Sequence, residues 1–126
     1  EYMKSIFLFL AATSLVWMAC GDAPTSSSET NSVDVTKDPA YKTGLALVSK
    51  SDCATCHKVD EQMTGPSYRD IAAKYAKATD AEVSQVAQKI IKGGGGVWGE
   101  VPMTPHPAIV EADAVAMVEY IRLLKK

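Results

Sequence analysis

The segment Cys53-Ala54-Thr55-Cys56-His57 decides how this sequence is interpreted. It has the pattern C-x-x-C-H, in which two thiols three positions apart are followed directly by an imidazole. On a tight turn, both sulfurs can form thioether bonds to one edge of a haem, and the adjacent histidine then lies beneath the ring. The motif therefore predicts one covalent haem c, attached through Cys53 and Cys56, with His57 as a ligand of its iron.

Three other interpretations of the motif were weighed against haem attachment. A zinc site needs a fourth ligand and usually a second cysteine pair, whereas the only other histidine, His106, is about fifty residues away. A thioredoxin-like redox pair belongs to a βαβ frame, and no strand pattern is visible. A disulfide between such close neighbours is geometrically awkward and leaves His57 without a role, so haem attachment is favoured.

The first nineteen residues have the features of a signal peptide. Met3 and Lys4 form a short positive region, and residues 6–19 are almost continuously apolar and end in small residues. This run is shorter than the roughly 20 residues of a spanning helix and fits a signal-peptide core. A buried helix is the alternative, but neither an amphipathic period nor a helix cap supports it. Export agrees with the motif, since haem attachment of this kind takes place outside the cytoplasm.

Cys20 follows the apolar run directly and resembles the lipidated cysteine of bacterial lipoproteins, although Trp17 stands where that family usually has leucine. Lipidation would anchor the protein to a membrane. An ordinary cleavage site or a spare thiol is the alternative. Residues 20–38 are polar and rich in Ser, Thr and Asp, which predicts a flexible tether. The globular domain is therefore expected over residues 39–126.

Composition excludes some partners and suggests a globular domain. The chain has 126 residues, 47% of them hydrophobic and 22% charged, and a formal net charge of −2. One domain is expected at this length. The slightly negative charge argues against nucleic acid, which selects basic surfaces, and provides little field to steer a charged partner.

Four segments are predicted to be helical, and none alternates as a strand would. Asp38 before Pro39 predicts the start of the first helix, over residues 39–50. Ser67 predicts the start of the second, over residues 68–77. Thr79 and Glu82 form a capping box before a third helix that ends at residue 93, and a fourth begins at residue 109 or 111 and ends at residue 125. The fold class is therefore all-α, with about four helices wrapped around one haem.

The haem is expected to complete a core that the chain cannot close alone, because the domain is small and has few large apolar residues. Met117 and the apolar face of the last helix are expected in this core; the face comprises Ala114, Val118, Ile121 and Leu124. The haem pocket is expected to be lined by Leu45, Val48, Ile71, Val86, Ile90, Val101 and Leu124. The four glycines at 93–96 lack the strand and Lys-Ser/Thr of a phosphate loop. They are expected to end a helix, form a flexible loop and approach the haem closely.

The iron needs a second axial ligand or has an open position. Met63 is only six residues from His57 and would have to pass around the ring edge at once, and Met117 is expected in the core. Met103 lies between prolines in Val101-Pro102-Met103-Thr104-Pro105, a stiff loop suited to holding a weak thioether against iron. His106 is the remaining candidate.

The stretch Gly-Val-Trp-Gly-Glu-Val-Pro-Met-Thr-Pro at residues 96–105 resembles the distal-ligand loop of class I cytochromes c of the bacterial c-551/c-552 type. Residues 65–75 resemble the same family, and the resemblance extends from about residue 41 to 124. It implies His57 and Met103 as axial ligands, Pro66 packed beside the haem, and Trp98 donating to a haem propionate. It also implies that the first and last helices cross near residues 44 and 120. His106 departs from the family pattern.

A haem with both axial positions filled by protein leaves no place for a substrate, which favours electron transfer over catalysis. The sequence thus predicts a non-enzymatic electron carrier on the periplasmic side of a bacterial membrane. It would contact a donor and an acceptor redox protein transiently and bind no small-molecule substrate. Two alternatives stay open: a gas sensor or peroxidase-like enzyme with a labile sixth ligand, and a dedicated cytochrome subunit of a larger redox enzyme.

Overall fold

A computed structural model describes residues 34–126, in which four helices and one short hairpin surround a cavity. The predicted signal peptide, Cys20 and the tether as far as residue 33 lie outside the described residues. A 3-10 helix at Val35–Lys37 occupies part of the segment predicted as tether, and the carboxylate of Asp34 accepts from the Thr36 backbone N–H at its start. Within residues 34–126, no helix combines the length and apolar character needed to cross a membrane.

The first helix, α1 (Pro39–Lys50), begins as its cap predicts and crosses the last helix, α4 (Glu111–Leu123). Asp38 Oδ1 accepts from the Ala40 backbone N–H at 2.8 Å. At the crossing, a Cβ on Gly44 would collide with Tyr120 and with a backbone carbonyl of α4, so only glycine allows this approach. The Tyr41 ring packs edge-on against the Tyr120 ring, with the two ring centroids 5.1 Å apart. The crossing that the resemblance implied is confirmed.

The second and third helices, α2 (Tyr68–Lys74) and α3 (Asp80–Lys92), also pack against α4. The capping box of α3 is present, since Thr79 and Glu82 bond reciprocally. Helix α2 ends three residues before its predicted end. Arg122 of α4 donates to the carbonyls of Tyr75 and Ala78 at 3.1 and 3.2 Å, and these bonds satisfy backbone groups in a turn that directs the chain into α3.

Helix α4 supplies the centre of the core. Its predicted apolar face is buried, and Met117 is only 2% exposed. The buried hydrophobic cluster consists of Val48, Tyr68, Val83, Ala87, Ile90, Ala114, Met117, Val118, Tyr120, Ile121 and Leu124. The core therefore lies where α1, α2 and α3 meet α4.

The expectation of no strands was wrong at one place. Strands β1 (Gly94–Gly96) and β2 (Gly99–Met103) form an antiparallel hairpin in which Gly94 pairs with Met103. Gly94 and Gly96 have φ of 101° and 110°, a conformation that only glycine adopts readily. Because β1 consists of glycine, it has no side chains to alternate, and the sequence pattern could not reveal it. The hairpin is an addition to a helical fold, so the all-α class stands.

Candidate haem-binding site

A cavity of about 230 Å³ lies among α2, α3, α4, the hairpin and the C-x-x-C-H turn. All the predicted cofactor-binding residues line it: Cys53, Cys56, His57, Pro66, Trp98 and Met103. Its apolar wall includes five residues expected there: Val48, Ile71, Val86, Ile90 and Val101. Two expectations were wrong. Leu45 is 37% exposed on α1, one position beyond the glycine that faces α4, and Leu124 is packed in the core rather than on the cavity wall.

The attachment turn (residues 52–57) brings both thiols to the cavity. Its 3-10 helix, Asp52–Thr55, is followed by backbone bonds from Cys56 and His57 to the Cys53 carbonyl at 3.2 and 3.0 Å. Cys53 and Cys56 form no disulfide bond. Burial raises the pKa of the Cys53 thiol. The tight turn places the two sulfurs and the imidazole on the same wall, as the motif requires.

His57 has a defined tautomer. Its side chain is buried, and Nδ1 lies 2.7 Å from the Pro66 carbonyl oxygen. A carbonyl can only accept, so Nδ1 carries a proton, and in the neutral ring the lone pair is then on Nε2. This is the usual state of a metal-bound histidine, whose other nitrogen donates to a carbonyl or carboxylate. Pro66 thus acts through its backbone oxygen as well as through its position on the cavity wall.

Two residues around His57 were not singled out as site residues from the sequence. A Cβ on Gly65 would lie 2.5 Å from His57 Cε1, so glycine is needed for the Pro66 carbonyl to reach the ring. The Tyr68 ring stacks on the imidazole with centroids 5.7 Å apart and planes 17° from parallel. Burial raises the pKa of the Tyr68 hydroxyl. The Gly-Pro dipeptide soon after the motif was the available signal for Gly65.

The candidates for the second axial ligand occupy different places. Met103 ends β2, is half-buried and lines the cavity that His57 lines. Met63 is 44% exposed and is not on the cavity wall. Met117 reaches the wall from the core of α4. His106 lines a separate, smaller cavity, and its Nε2 lies 2.8 Å from Asp52 Oδ1.

Positive charge lies on the rim beside Trp98. The indole lines the cavity and is 43% exposed, and the Lys74 ammonium lies 5.5 Å from its ring centroid. Lys89 also lines the cavity, and its ammonium is 3.4 Å from the Gly95 carbonyl. Two ammonium groups and an indole N–H donor favour carboxylates at this rim.

The donor set fits a covalent haem better than the competing cofactors. Within residues 34–126, no group of three or more His, Cys, Asp or Glu side chains could hold a metal ion. The same residues contain one hairpin and no βαβ unit that would present a thioredoxin-like pair. Two free thiols, an imidazole with an unprotonated Nε2, a thioether and an apolar wall are what a haem c requires.

Comparisons with known proteins agree with this site. Residues 41–125 match the Cytochrome c family. The chain is 44% identical over 79 residues to cytochrome c-552 of Nitrosomonas europaea, covering 63% of this chain and 76% of that protein. It is 41% identical over 87 residues to cytochrome c-551 of Allochromatium vinosum, covering 69% and 92%. The crystal structure of wild-type Nitrosomonas europaea cytochrome c552 superposes with a TM-score of 0.60 at 43% identity, covering 64% of this chain and 99% of that one.

Proposed function

This chain belongs to the cytochrome c family and carries one covalently bound haem c, and from that premise we propose that it is a monohaem electron carrier. The observation that supports the proposal most strongly is the pairing of donors at the cavity. The His57 imidazole and the Met103 thioether line the same cavity, together with both attachment thiols. When bound, the haem supplies an iron that alternates between the ferric and ferrous states.

His57 and Met103 are proposed as the two residues that would bind the haem iron. His57 would coordinate through Nε2, while the Nδ1–H bond to the Pro66 carbonyl orients the ring and raises the basicity of the ligand. Met103 would supply a neutral thioether, which raises the reduction potential relative to a second nitrogen ligand. With both positions filled by protein, a substrate has no access to the metal. The site is therefore suited to electron exchange rather than catalysis, and we propose that the protein is not an enzyme.

The cavity wall would also raise the reduction potential of the haem. Apolar side chains from α2, α3 and α4 keep water away from the site, among them Ile71, Ile90 and Ile121. A medium of low polarity disfavours the more highly charged state of a buried group. The wall therefore favours the ferrous form.

The two ends of the site are proposed to have different roles. The indole N–H of Trp98, with Lys74 and Lys89 nearby, would hold the haem carboxylates. At the attachment turn, Ala54 and Thr55 are small and exposed, so a redox partner could approach the haem edge closely. Transient redox complexes bury under about 1,200 Å² of surface. A contact of that size around the attachment turn would be enough for electron exchange.

An optical spectrum of the oxidised and reduced protein, made in a host with c-type haem maturation, tests this function. We expect sharp α and β bands in the reduced form and a weak sulfur-to-iron band in the far red of the oxidised form. A c-type haem that lacks the far-red band and shifts readily with CO would instead favour ligand binding or peroxidase-like chemistry. A tight stoichiometric partner in a mild-detergent pull-down would favour a dedicated subunit of a larger enzyme.

We further propose that the protein is exported to the periplasmic side and held at the membrane through a lipid on Cys20. The support is the sequence: Cys20 directly follows the apolar run at residues 6–19. Cys20→Ser is expected to move the protein from the membrane fraction to the soluble periplasmic fraction, as fractionation and haem staining would measure. A variant that stays in the membrane fraction would indicate an uncleaved signal helix instead.

A further inference from the structure

The His106 side chain joins two segments that the proposed function depends on. His106 Nε2 lies 2.8 Å from Asp52 Oδ1 across 54 positions of sequence. Asp52 begins the attachment turn, and His106 belongs to the Met103 loop (residues 103–107). Among the residues that the structure describes, this is the one hydrogen bond between the turn and the loop.

The Met103 loop has few other means of attachment at its centre. Pairing with Gly94 holds Met103 at one end, and at the other end the His106 backbone N–H donates to the Ile90 and Ile91 carbonyls at 3.2 and 3.1 Å. Pro105 and Pro107 have no N–H to contribute. These backbone bonds tie the loop to the end of α3 and to the hairpin. Within residues 34–126, its one hydrogen bond to the segment that bears the thiols comes from the His106 side chain.

The bond lies at a second cavity, of about 130 Å³, that is lined by residues of both segments. Cys56, His57 and Met103 all reach its wall, as do both partners of the bond. If the loop moved outward, this cavity would open and Met103 would retreat from His57. The bond is therefore placed where it resists separation of the two proposed ligands.

The chemistry of the bond defines the state of the His106 ring. A carboxylate accepts only, so Nε2 carries the proton that is shared with Asp52. Nδ1 is buried and makes no hydrogen bond with the described residues. The His106 side chain is 17% exposed and that of Asp52 is 73% exposed. The ring is thus held by surrounding structure, and the exposed carboxylate can be changed without removing buried packing.

We propose that His106 and Asp52 form a latch that holds the Met103 loop against the attachment turn, and that both are positioning residues for the sixth iron ligand. The inference rests on the proposed function, in which Met103 binds the iron. An external ligand such as imidazole can bind only when the loop has released Met103. Its apparent affinity therefore reports the fraction of open loop.

The test is an imidazole titration of the ferric holoprotein, followed by loss of the far-red sulfur-to-iron band. Asp52→Ala removes the acceptor, and we expect its apparent Kd for imidazole to fall about fivefold to tenfold, as loss of one hydrogen bond implies. Asp52→Asn keeps an acceptor oxygen and should stay within about twofold of the wild type. Glu61→Ala, which removes an exposed carboxylate of the segment after the motif, is the matched control and should also stay within about twofold.

A double-mutant cycle separates the latch from a general loss of stability. His106→Ala alone is expected to tighten imidazole binding, and adding Asp52→Ala should tighten it no further, because both changes break the same bond. Because the unfolded chain also lacks the bond, the urea midpoint of Asp52→Ala should fall relative to that of Glu61→Ala, but by no more than the loss of one hydrogen bond implies. Equal imidazole affinities for Asp52→Ala and Glu61→Ala, with the far-red band present, would overturn the latch alone. A wild-type protein without that band would overturn the Met103 assignment and the latch together.

Discussion

At the scale of single residues, the site depends on which nitrogen of His57 is protonated. The Pro66 carbonyl accepts from Nδ1 at 2.7 Å, and this contact leaves Nε2 free. Gly65 permits the contact because it has no side chain beside the ring. Three consecutive positions therefore matter for different reasons: a missing Cβ at 65, a backbone oxygen at 66, and at 67 a serine that caps α2.

Met103→Ala should leave the haem attached, because both thioether bonds are formed by other residues, but should lower the reduction potential by roughly 0.1 V or more. The physical reason is loss of the thioether that favours ferrous iron. Potentiometric titration followed by absorbance measures the shift. Met63→Ala is the matched control, since Met63 is 44% exposed and does not line the cavity. An unchanged potential for Met103→Ala would exclude this residue as the ligand.

Gly65→Ala should destabilise the holoprotein by about 1–3 kcal/mol, the typical effect of forcing extra atoms into a packed site. Its Cβ would lie 2.5 Å from His57 Cε1 and 2.8 Å from Nδ1, so either the ring or the Pro66 carbonyl must move. Urea unfolding gives the stability, and the ferric spectrum reports any change in His57 ligation. Gln85→Ala, at an exposed position of α3, is the control and should change stability by less than about 0.5 kcal/mol. Equal stability of the two variants would contradict the close contact.

At the scale of elements, α3 shows how local signals define a boundary. Thr79 Oγ1 accepts from the Glu82 backbone N–H, and the Glu82 carboxylate accepts from the Thr79 N–H at 2.7 Å. Gly93, with φ of 69°, ends the helix and turns the chain toward the hairpin. Helix α3 contributes Val86 and Ile90 to the cavity wall, so its register determines what the haem would contact.

Thr79→Ala should cost about 1 kcal/mol of stability, the usual cost of removing a threonine N-cap. Urea unfolding of the holoprotein at neutral pH measures it. Gln85→Ala, at an exposed mid-helix position of α3, should change stability by less than about 0.5 kcal/mol. If both variants unfold at the same midpoint, the cap does not contribute to the stability of the domain.

The cap should also make stability depend on pH in a defined direction. The bond from the Thr79 backbone N–H lowers the pKa of the Glu82 carboxyl below its ordinary value. A group whose folded pKa is lowered stabilises the folded state above its unfolded pKa, and this contribution is lost as pH falls through the folded value. Glu82→Ala should therefore be less stable than the wild type at neutral pH, and the difference should shrink in acid. A difference that is independent of pH would contradict this origin.

At the scale of the whole molecule, the domain is small and has a cavity at its centre. The buried cluster lies where α4 meets the other helices, and the cavity beside it has a volume of about 230 Å³. Without haem, the apolar wall of this cavity would be exposed to water, which costs stability in proportion to the apolar area exposed. A small domain has a total stability of about 5–15 kcal/mol. The fold and its cofactor are therefore expected to depend on each other.

Cys53→Ala/Cys56→Ala should fail to give a cooperatively folded domain, because the haem would have no covalent attachment and the cavity would remain. Far-UV circular dichroism during heating measures this as lost helicity and a broad or absent transition. Cys53→Ala alone keeps one thiol for attachment and should be intermediate. A double variant with the wild-type melting temperature would show that the helices close their core without haem.

Much of this protein could be predicted from short stretches of sequence. The C-x-x-C-H motif, the caps at Asp38, Ser67 and Thr79, and the apolar face of α4 each depend on residues within a few positions of one another. Such short-range features can be predicted from the sequence because backbone geometry determines which neighbouring side chains can interact. The haem attachment site, the four helices and part of the cavity wall followed from them, whereas Pro66 and Trp98 were implied by the family resemblance.

Tertiary structure decided the rest, because the remaining features depend on residues that packing brings together from distant positions. The hairpin forms from glycines that have no side-chain pattern, and α2 ends early where Arg122 of α4 bonds to the chain after it. The latch between Asp52 and His106 joins segments 54 positions apart. No local sequence pattern predicts such a contact, because the contact forms only after the helices have packed and the loops have closed.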